Sequence, residues 1–339
     1  MAFKTFLRTA FTVAALGAAL ATAPARAEVS EVRISKGFGI LYLPLIVMQD
    51  QQFLEKRAKA AGLGDVKVNW LMLDGGNVIN DAMMAGTLDF AGTGAPGFVT
   101  LWAKARGIPG VEVVGVSGMS STSLWLMSNK PELKSLKDFG AADKIALPGI
   151  KTSLAAVVLQ MIAAKEFGDA NYAKMDPMTV SLPHPEALAA LIGGKTEIKA
   201  HFTSPPFQYI EAKSPGIHRV LNSVDYLGNL TLDVTFAPKK FVDANPKMTQ
   251  AFIDAMDDAN ALIDKDKKLA AEIFAKSSKV KVDAAEVQQM IEDKDSRFTA
   301  TPEGVMKFTE FMHKAGSIKV KPAKWSDMFV PQLAGRSGS

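Results

Sequence analysis

Six short loops of this sequence carry hydroxyl side chains, glycine or histidine where a predicted strand ends or a predicted helix begins. Backbone N–H groups at the start of a helix and hydroxyl donors stabilise negative charge without a buried counter-ion. The chemistry that these residue types support is therefore the binding of a small anion. The loops are residues 39–42, 74–77, 93–95, 120–122, 151–153 and 201–204.

A pattern that occurs twice positions two of these loops. The first copy runs from Ala82 to Phe98 and the second from Ala190 to Phe207. Each copy has an apolar helix closed by glycine, an acidic turn, a short buried strand, a small polar loop and a proline that opens a new helix. Two such units far apart in one chain predict two similar lobes with a ligand cleft between their loops.

Strands and helices alternate through most of the chain, which is typical of mostly parallel α/β sheets. We predict strands at Val111 to Val116, Leu124 to Met127 and Leu230 to Ala237, and one helix over Met48 to Ala61. The residues after Ala237 are almost wholly helical in pattern. The predicted fold class is α/β, with two doubly wound lobes whose loops meet at the carboxyl ends of the strands.

The first 27 residues have the pattern of a secretory signal peptide. Lys4 and Arg8 form a positive n-region before the apolar stretch Thr9 to Ala23, and Ala25-Arg26-Ala27 is a small-x-small cleavage site. The apolar run is shorter than the about 20 residues that span a bilayer. We therefore predict export, cleavage before Glu28 and a periplasmic protein without a lipid anchor.

Composition excludes several other classes of protein. The signal segment carries three positive charges and no acid, so its removal lowers the formal net charge from +4 to +1, which gives no reason to expect nucleic acid as a partner. The absence of cysteine excludes disulfides, thiolate metal sites and cysteine nucleophiles. We expect a monomer.

Three motifs resemble cofactor or catalytic sites, but each lacks a feature that the site requires. Residues 92–97 match the dinucleotide fingerprint GxGxxG, but no acid ends the next strand; residues 194–196 end a helix, unlike a phosphate loop. Residues 115–119 lack the second glycine of a nucleophile elbow. We predict no cofactor and no catalytic metal, since metal-ligand spacing is absent among His184, His201, His218 and His313.

A few positions in the six loops stand out as ligand contacts. Thr152 and Ser153 are helix caps whose hydroxyls also suit a ligand, and Tyr42 follows the first glycine loop. His201 follows a short strand at the mouth of the cleft. It is either a ligand contact or a structural histidine, and His201→Ala is expected to alter binding without unfolding the protein.

The sequence resembles the periplasmic substrate-binding proteins of ABC importers for nitrate, taurine and alkanesulfonates, a group that includes thiamin-pyrimidine-binding proteins. The resemblance covers nearly all of residues 28–339 and rests on these pieces: Leu43-Pro44-Leu45, Phe53 to Lys56, Ala82 to Phe98, Leu136 to Phe139, Lys144 to Ser153 and Ala187 to Pro206. It implies a bilobal fold with two crossings, closure of the cleft on the ligand, and delivery to a membrane permease with its ATPase.

The resemblance also implies lobe boundaries and ligand positions. Lobe 1 is residues 28–128 plus 228–339, and lobe 2 is residues 129–227. The family's ligand loops fall on Leu41, Tyr42, Gly75, Thr93, Gly94, Ser121, Thr122, Thr152, Ser153, His201, Thr203 and Ser204. The loop at 199–204 departs from the family, where aspartate and alanine are common, and its histidine and phenylalanine suit a larger carboxylate or sulfonate.

The predicted function is thus a binding protein, not an enzyme, that captures a small organic anion. Two alternatives stay open at this point: a periplasmic enzyme on the same fold, and a sensory binding module without transport.

Overall fold

The computed structural model describes residues 28–339, and the predicted signal peptide lies outside the described residues. The strands are β1 Glu31–Lys36, β2 Lys67–Met72, β3 Phe90–Gly94, β4 Val113–Ser121, β5 Trp125–Ser128, β6 Lys144–Leu147, β7 Thr179–Ser181, β8 Ile198–Thr203, β9 His218–Asn222, β10 Asp233–Pro238 and β11 Arg297–Phe298. The helices are α1 Leu43–Gln51, α2 Phe53–Ala60, α3 Gly76–Met84, α4 Ala95–Ala105, α5 Leu154–Phe167, α6 His184–Gly193, α7 Phe207–Ala212, α8 Ser223–Leu227, α9 Lys239–Ala244, α10 Pro246–Lys265, α11 Lys267–Ser277, α12 Ala284–Glu292 and α13 Val305–Lys314. Within residues 28–339, no helix combines the length and the apolar character that a membrane crossing requires.

The strands form two sheets with corresponding topologies. The first sheet has the order β11-β4-β10-β3-β1-β2 and the second the order β7-β6-β8-β5-β9. In each, a central strand pairs in parallel with two neighbours, β1 with β2 and β3, and β6 with β7 and β8. An antiparallel strand then follows, β10 in the first sheet and β5 in the second. The prediction of an α/β fold with two doubly wound lobes is confirmed.

The repeated pattern folds as the sequence predicts. The first copy forms the end of α3, then β3 and α4; the second forms the end of α6, then β8 and α7. Gly86 and Gly194 each follow the first helix with φ of 70° and 65°, a left-handed conformation that favours glycine. Two equivalent strand-to-helix loops therefore stand at corresponding places in the two lobes.

Three predicted elements differ from the structure. The strand predicted at Leu124 to Met127, within predicted lobe 1, forms as β5 and belongs to the second sheet, where it pairs with β8 and β9. Residues 48–61 do not form one helix, because Gln52 has a left-handed conformation between α1 and α2. The strand predicted to end at Val116 continues to Ser121, because β10 and β11 supply hydrogen-bonding partners along its whole length.

An apolar core packs the first sheet against helices α9 and α10. Phe90 of β3 stacks on Phe252 of α10 with ring centroids 4.1 Å apart and meets Phe241 edge-on at 5.2 Å. Such aromatic pairs contribute about 0.5–1.5 kcal/mol beyond the burial of their area. This packing fixes the strand whose carboxyl end carries Thr93 and Gly94.

Candidate ligand-binding site

A small cavity lies where the loops of the two sheets meet. Its volume is about 50 Å³, which by the same measure is room for roughly four water molecules. Both lobes line it: Phe38, Leu41, Tyr42, Asp74, Gly75, Gly76, Ile79, Thr93, Gly94 and Asp233 from the first, and Leu124, Pro148, Ser153, Leu154, Ala155, His184, Phe202, Thr203 and Ser204 from the loops and elements around the second sheet.

Direct contacts across the cleft hold the lobes together around the cavity. The Ile40 N–H donates to the carbonyl of Pro205 at 2.9 Å. The hydroxyl of Thr152 donates to Asn77 Oδ1 at 2.6 Å. Each of these bonds joins a loop of one lobe to a loop of the other. The loops of the two lobes are therefore in direct contact beside the cavity.

Glycines allow the approach of the lobes and explain the dinucleotide-like motif. A Cβ at Gly94 would lie 2.7 Å from Leu154 Cβ of the other lobe, and a Cβ at Gly97 would lie 3.2 Å from Gly76 Cα. A Cβ at Gly92 would lie 3.3 Å from the ring of Tyr42. The three glycines of residues 92–97 thus serve close packing in and beside the cleft.

Helix starts supply hydrogen-bond donors to the cavity. Ser153 is the N-cap of α5, and its hydroxyl accepts from the N–H of Ala156 at 3.2 Å. The N–H groups of Leu154, Ala155 and Gly76 have no hydrogen-bond partner among residues 28–339. The first turn of a helix leaves such groups free and carries partial positive charge.

Two carboxylates supply acceptors from the first lobe. Asp74 Oδ1 accepts from the Gly75 N–H at 3.0 Å, whereas Asp74 Oδ2 is buried without a partner in the described chain. Asp233 is buried, and its Oδ2 is likewise unpaired within residues 28–339. Burial, together with the charge of Asp74, raises the pKa of Asp233 to about 7, against the opposing effect of a hydrogen bond from the Tyr42 hydroxyl.

Three buried side chains of the second lobe form a hydrogen-bonded chain that begins at the cavity and runs away from it. His184 Nδ1 lies 2.7 Å from His201 Nε2, and His201 Nδ1 lies 2.6 Å from Glu211 Oε1. Burial lowers the pKa of both histidines to about 3 and raises that of Glu211 well above its usual range. The neutral arrangement is favoured, with the Glu211 carboxyl donating to His201 and His201 donating to His184. His184 then carries its proton on Nε2, which bonds to no other residue of the described chain.

His201→Ala is expected to destabilise the fold by about 3 kcal/mol, because it leaves Glu211 and His184 buried without their partner and opens a cavity. Urea unfolding followed by fluorescence measures the change. His313→Ala, an exposed histidine near the end of α13, is the matched control and should shift the midpoint little. Equal effects of the two substitutions would contradict a structural role for the buried chain.

The structure brings eight of the twelve predicted ligand positions together at the cavity: Leu41, Tyr42, Gly75, Thr93, Gly94, Ser153, Thr203 and Ser204. It places the other four elsewhere. Ser121 pairs with Arg297 in the extended β4, and the Thr122 hydroxyl lies 3.2 Å from that of Ser296. The Thr152 hydroxyl donates to Asn77 of the other lobe. His201 is fully buried and contacts His184, which separates it from the cavity.

Sequence reasoning missed three polar residues of the cavity wall. Asp74 lies in the loop at residues 74–77, where the sequence predicts only Gly75 as a ligand contact. Asp233 is the single charged residue of an otherwise uncharged run from Leu230 to Ala237, a signal that could have identified it. His184 precedes its partner by 17 residues and carries no local signal of its own. Among residues 28–339, no group of three or more potential ligand side chains could hold a metal ion.

Comparison with known proteins places this geometry in context. The sequence matches the NMT1-like family over residues 25–277. No similar protein was found among curated sequences.

Solved structures share the fold at low sequence identity. The alkanesulfonate-binding protein of Xanthomonas axonopodis pv. citri, solved with MOPS, is 18% identical, with a TM-score of 0.64 over 85% of this chain and 92% of that one. The periplasmic nitrate-binding protein of Synechocystis PCC 6803 is 15% identical, with a TM-score of 0.66 over 88% and 84%. A Candida albicans gene product described as having the generic periplasmic binding protein fold is 14% identical, with a TM-score of 0.63 over 87% and 92%. The first two are named as binding proteins, not as enzymes.

Proposed function

This chain belongs to the NMT1-like family and has the periplasmic binding protein fold, and we propose that it is the solute-binding component of an ABC importer. The observation that carries the proposal is the cavity between the lobes, whose walls come from both of them. A compound bound there contacts both lobes at once, so its binding energy favours the closed form. A permease and its ATPase then recognise that form and accept the compound.

We further propose that the compound has an acidic group at the start of α5. The free N–H groups of Leu154 and Ala155 and the neutral His184 supply donors on that side of the cavity. Helix starts bind carboxylate or sulfonate groups in this way without a basic side chain. The pattern of residues 1–27 and the naming of the nitrate-binding relative as periplasmic support a location in the periplasm.

Thermal unfolding of purified residues 28–339 with a panel of carboxylates, sulfonates and nitrate tests the proposal. A compound at 100 times its Kd stabilises the folded state by about 2.7 kcal/mol, which should raise the midpoint by several degrees. Sodium chloride at equal ionic strength is the control. Stabilisation only by compounds that lack an acidic group would contradict the anion-binding part of the proposal.

A further inference from the structure

The acceptors in the cavity are as distinctive as the donors. Asp74 Oδ2, Asp233 Oδ2 and Thr93 Oγ1 are all buried, and none has a hydrogen-bond partner among residues 28–339. All three residues line the cavity from the first lobe. A carboxylate oxygen buried without a donor costs free energy, so a site that keeps two of them is built to receive a donor.

No positive side chain of the described protein meets this need. The residues that line the cavity include no lysine and no arginine, and its titratable members are Asp74, Asp233, Tyr42 and His184. Lys36, which is buried on β1 and does not line the cavity, donates to Gln49 Oε1 at 2.5 Å and lies 5.6 Å from the ring centroid of Trp70. A protonated nitrogen on a bound compound matches these oxygens in both charge and hydrogen bonding.

The two walls of the cavity thus have opposite hydrogen-bonding character. The first lobe presents carboxylate oxygens, and the second presents the N–H groups of α5 and a neutral histidine. We infer, on the basis of the proposed function, that the compound is a small zwitterion: its protonated amino or amidine nitrogen lies against Asp74 and Asp233, and its acidic group lies against the start of α5. This extends the proposal from an anion to a compound with both charges.

A metal ion is a poorer match to the same oxygens. Calcium takes six to eight oxygen ligands and magnesium an octahedral set. The described chain offers two carboxylates here and no group of three ligand side chains. An organic cation, by contrast, needs only the two or three acceptors that are present.

Matched pairs of acids that differ by one amino group test the inference by calorimetry at pH 8. The pairs are 3-aminopropanoate with propanoate and 2-aminoethanesulfonate with ethanesulfonate. We expect at least one amino-bearing member to bind 10-fold or more tightly than its partner. Asp233→Asn and Asp74→Asn should reduce that ratio to about 1, whereas Asp65→Asn, a highly exposed aspartate far from the cavity in the surface pair with Lys59, should leave it unchanged.

The remaining outcomes show whether only the zwitterion is wrong or the proposed function is wrong too. Equal binding of both members of a pair would overturn the zwitterion and leave the proposed function standing. Binding of neither amino-bearing acid, or stabilisation by calcium or magnesium chloride in their place, would also overturn it. If no acid of any kind binds and no small compound co-purifies with the protein, the proposed function fails as well.

Discussion

Asp233→Asn is expected to make the unliganded protein more stable at pH 8, by up to about 4 kcal/mol. The pKa of Asp233 is raised from 3.8 to about 7 in the folded protein, and each unit corresponds to about 1.4 kcal/mol. Because the folded state holds this proton more tightly than the unfolded state, stability falls as pH rises from about 4 to about 7. The cost is complete above pH 7, and asparagine removes it.

The pH dependence distinguishes this effect from ordinary repacking. Between pH 8 and pH 5 the advantage of Asp233→Asn should shrink by about 2–3 kcal/mol, because the wild-type carboxyl becomes protonated in the folded state. Urea unfolding at both pH values measures it, with Asp65→Asn as the exposed control. A stability difference that does not change with pH would show that Asp233 is ionised without cost. The same substitution should abolish preference for amino-bearing acids, so stability here opposes function.

Gly94→Ala is expected to weaken ligand binding by about 10- to 100-fold and to leave the lobes folded. The backbone at Gly94 has φ −56° and ψ 135°, which alanine adopts freely. The added Cβ would lie 2.7 Å from Leu154 Cβ across the cleft, well inside the contact distance of about 3.5–4.0 Å for two carbons. The substitution therefore acts on closure and not on either lobe alone.

Small-angle scattering with and without a stabilising compound measures that closure. The wild type should become more compact on binding, and Gly94→Ala should do so less. Gly193→Ala, where a Cβ meets nothing within 4 Å, is the matched control and should behave as the wild type. Full compaction and unchanged affinity in Gly94→Ala would contradict the assignment of this contact to the closed state.

Features that depend on neighbouring residues could be predicted from the sequence. The repeat around Gly86 and Gly194 indicates a helix, turn, strand and helix because each step is set by local conformational preference. The same local preferences predict Thr93 and Gly94 at the end of a strand and Ser153 at the start of a helix, and these residues do line the cavity.

Features that depend on distant partners could not be predicted in this way. The local sequence predicts a loop at Ser121. Pairing with β11, more than 170 residues later in the chain, extends β4 to include this residue. The local sequence predicts His201 at the end of a short strand, at the mouth of the cleft. In the structure it is fully buried and contacts Glu211 and His184. Asp233 approaches Asp74 only because β10 returns to the first sheet beside β3.

The most direct test of the central claim is the identity of the compound that the protein carries. Residues 28–339 are purified without refolding, the protein is denatured, and the released compound is identified by high-resolution mass spectrometry. We predict one small compound per protein, with an acidic group and a basic nitrogen, that is missing from Asp233→Asn. A released compound without a basic nitrogen, retained equally by Asp233→Asn, would contradict it.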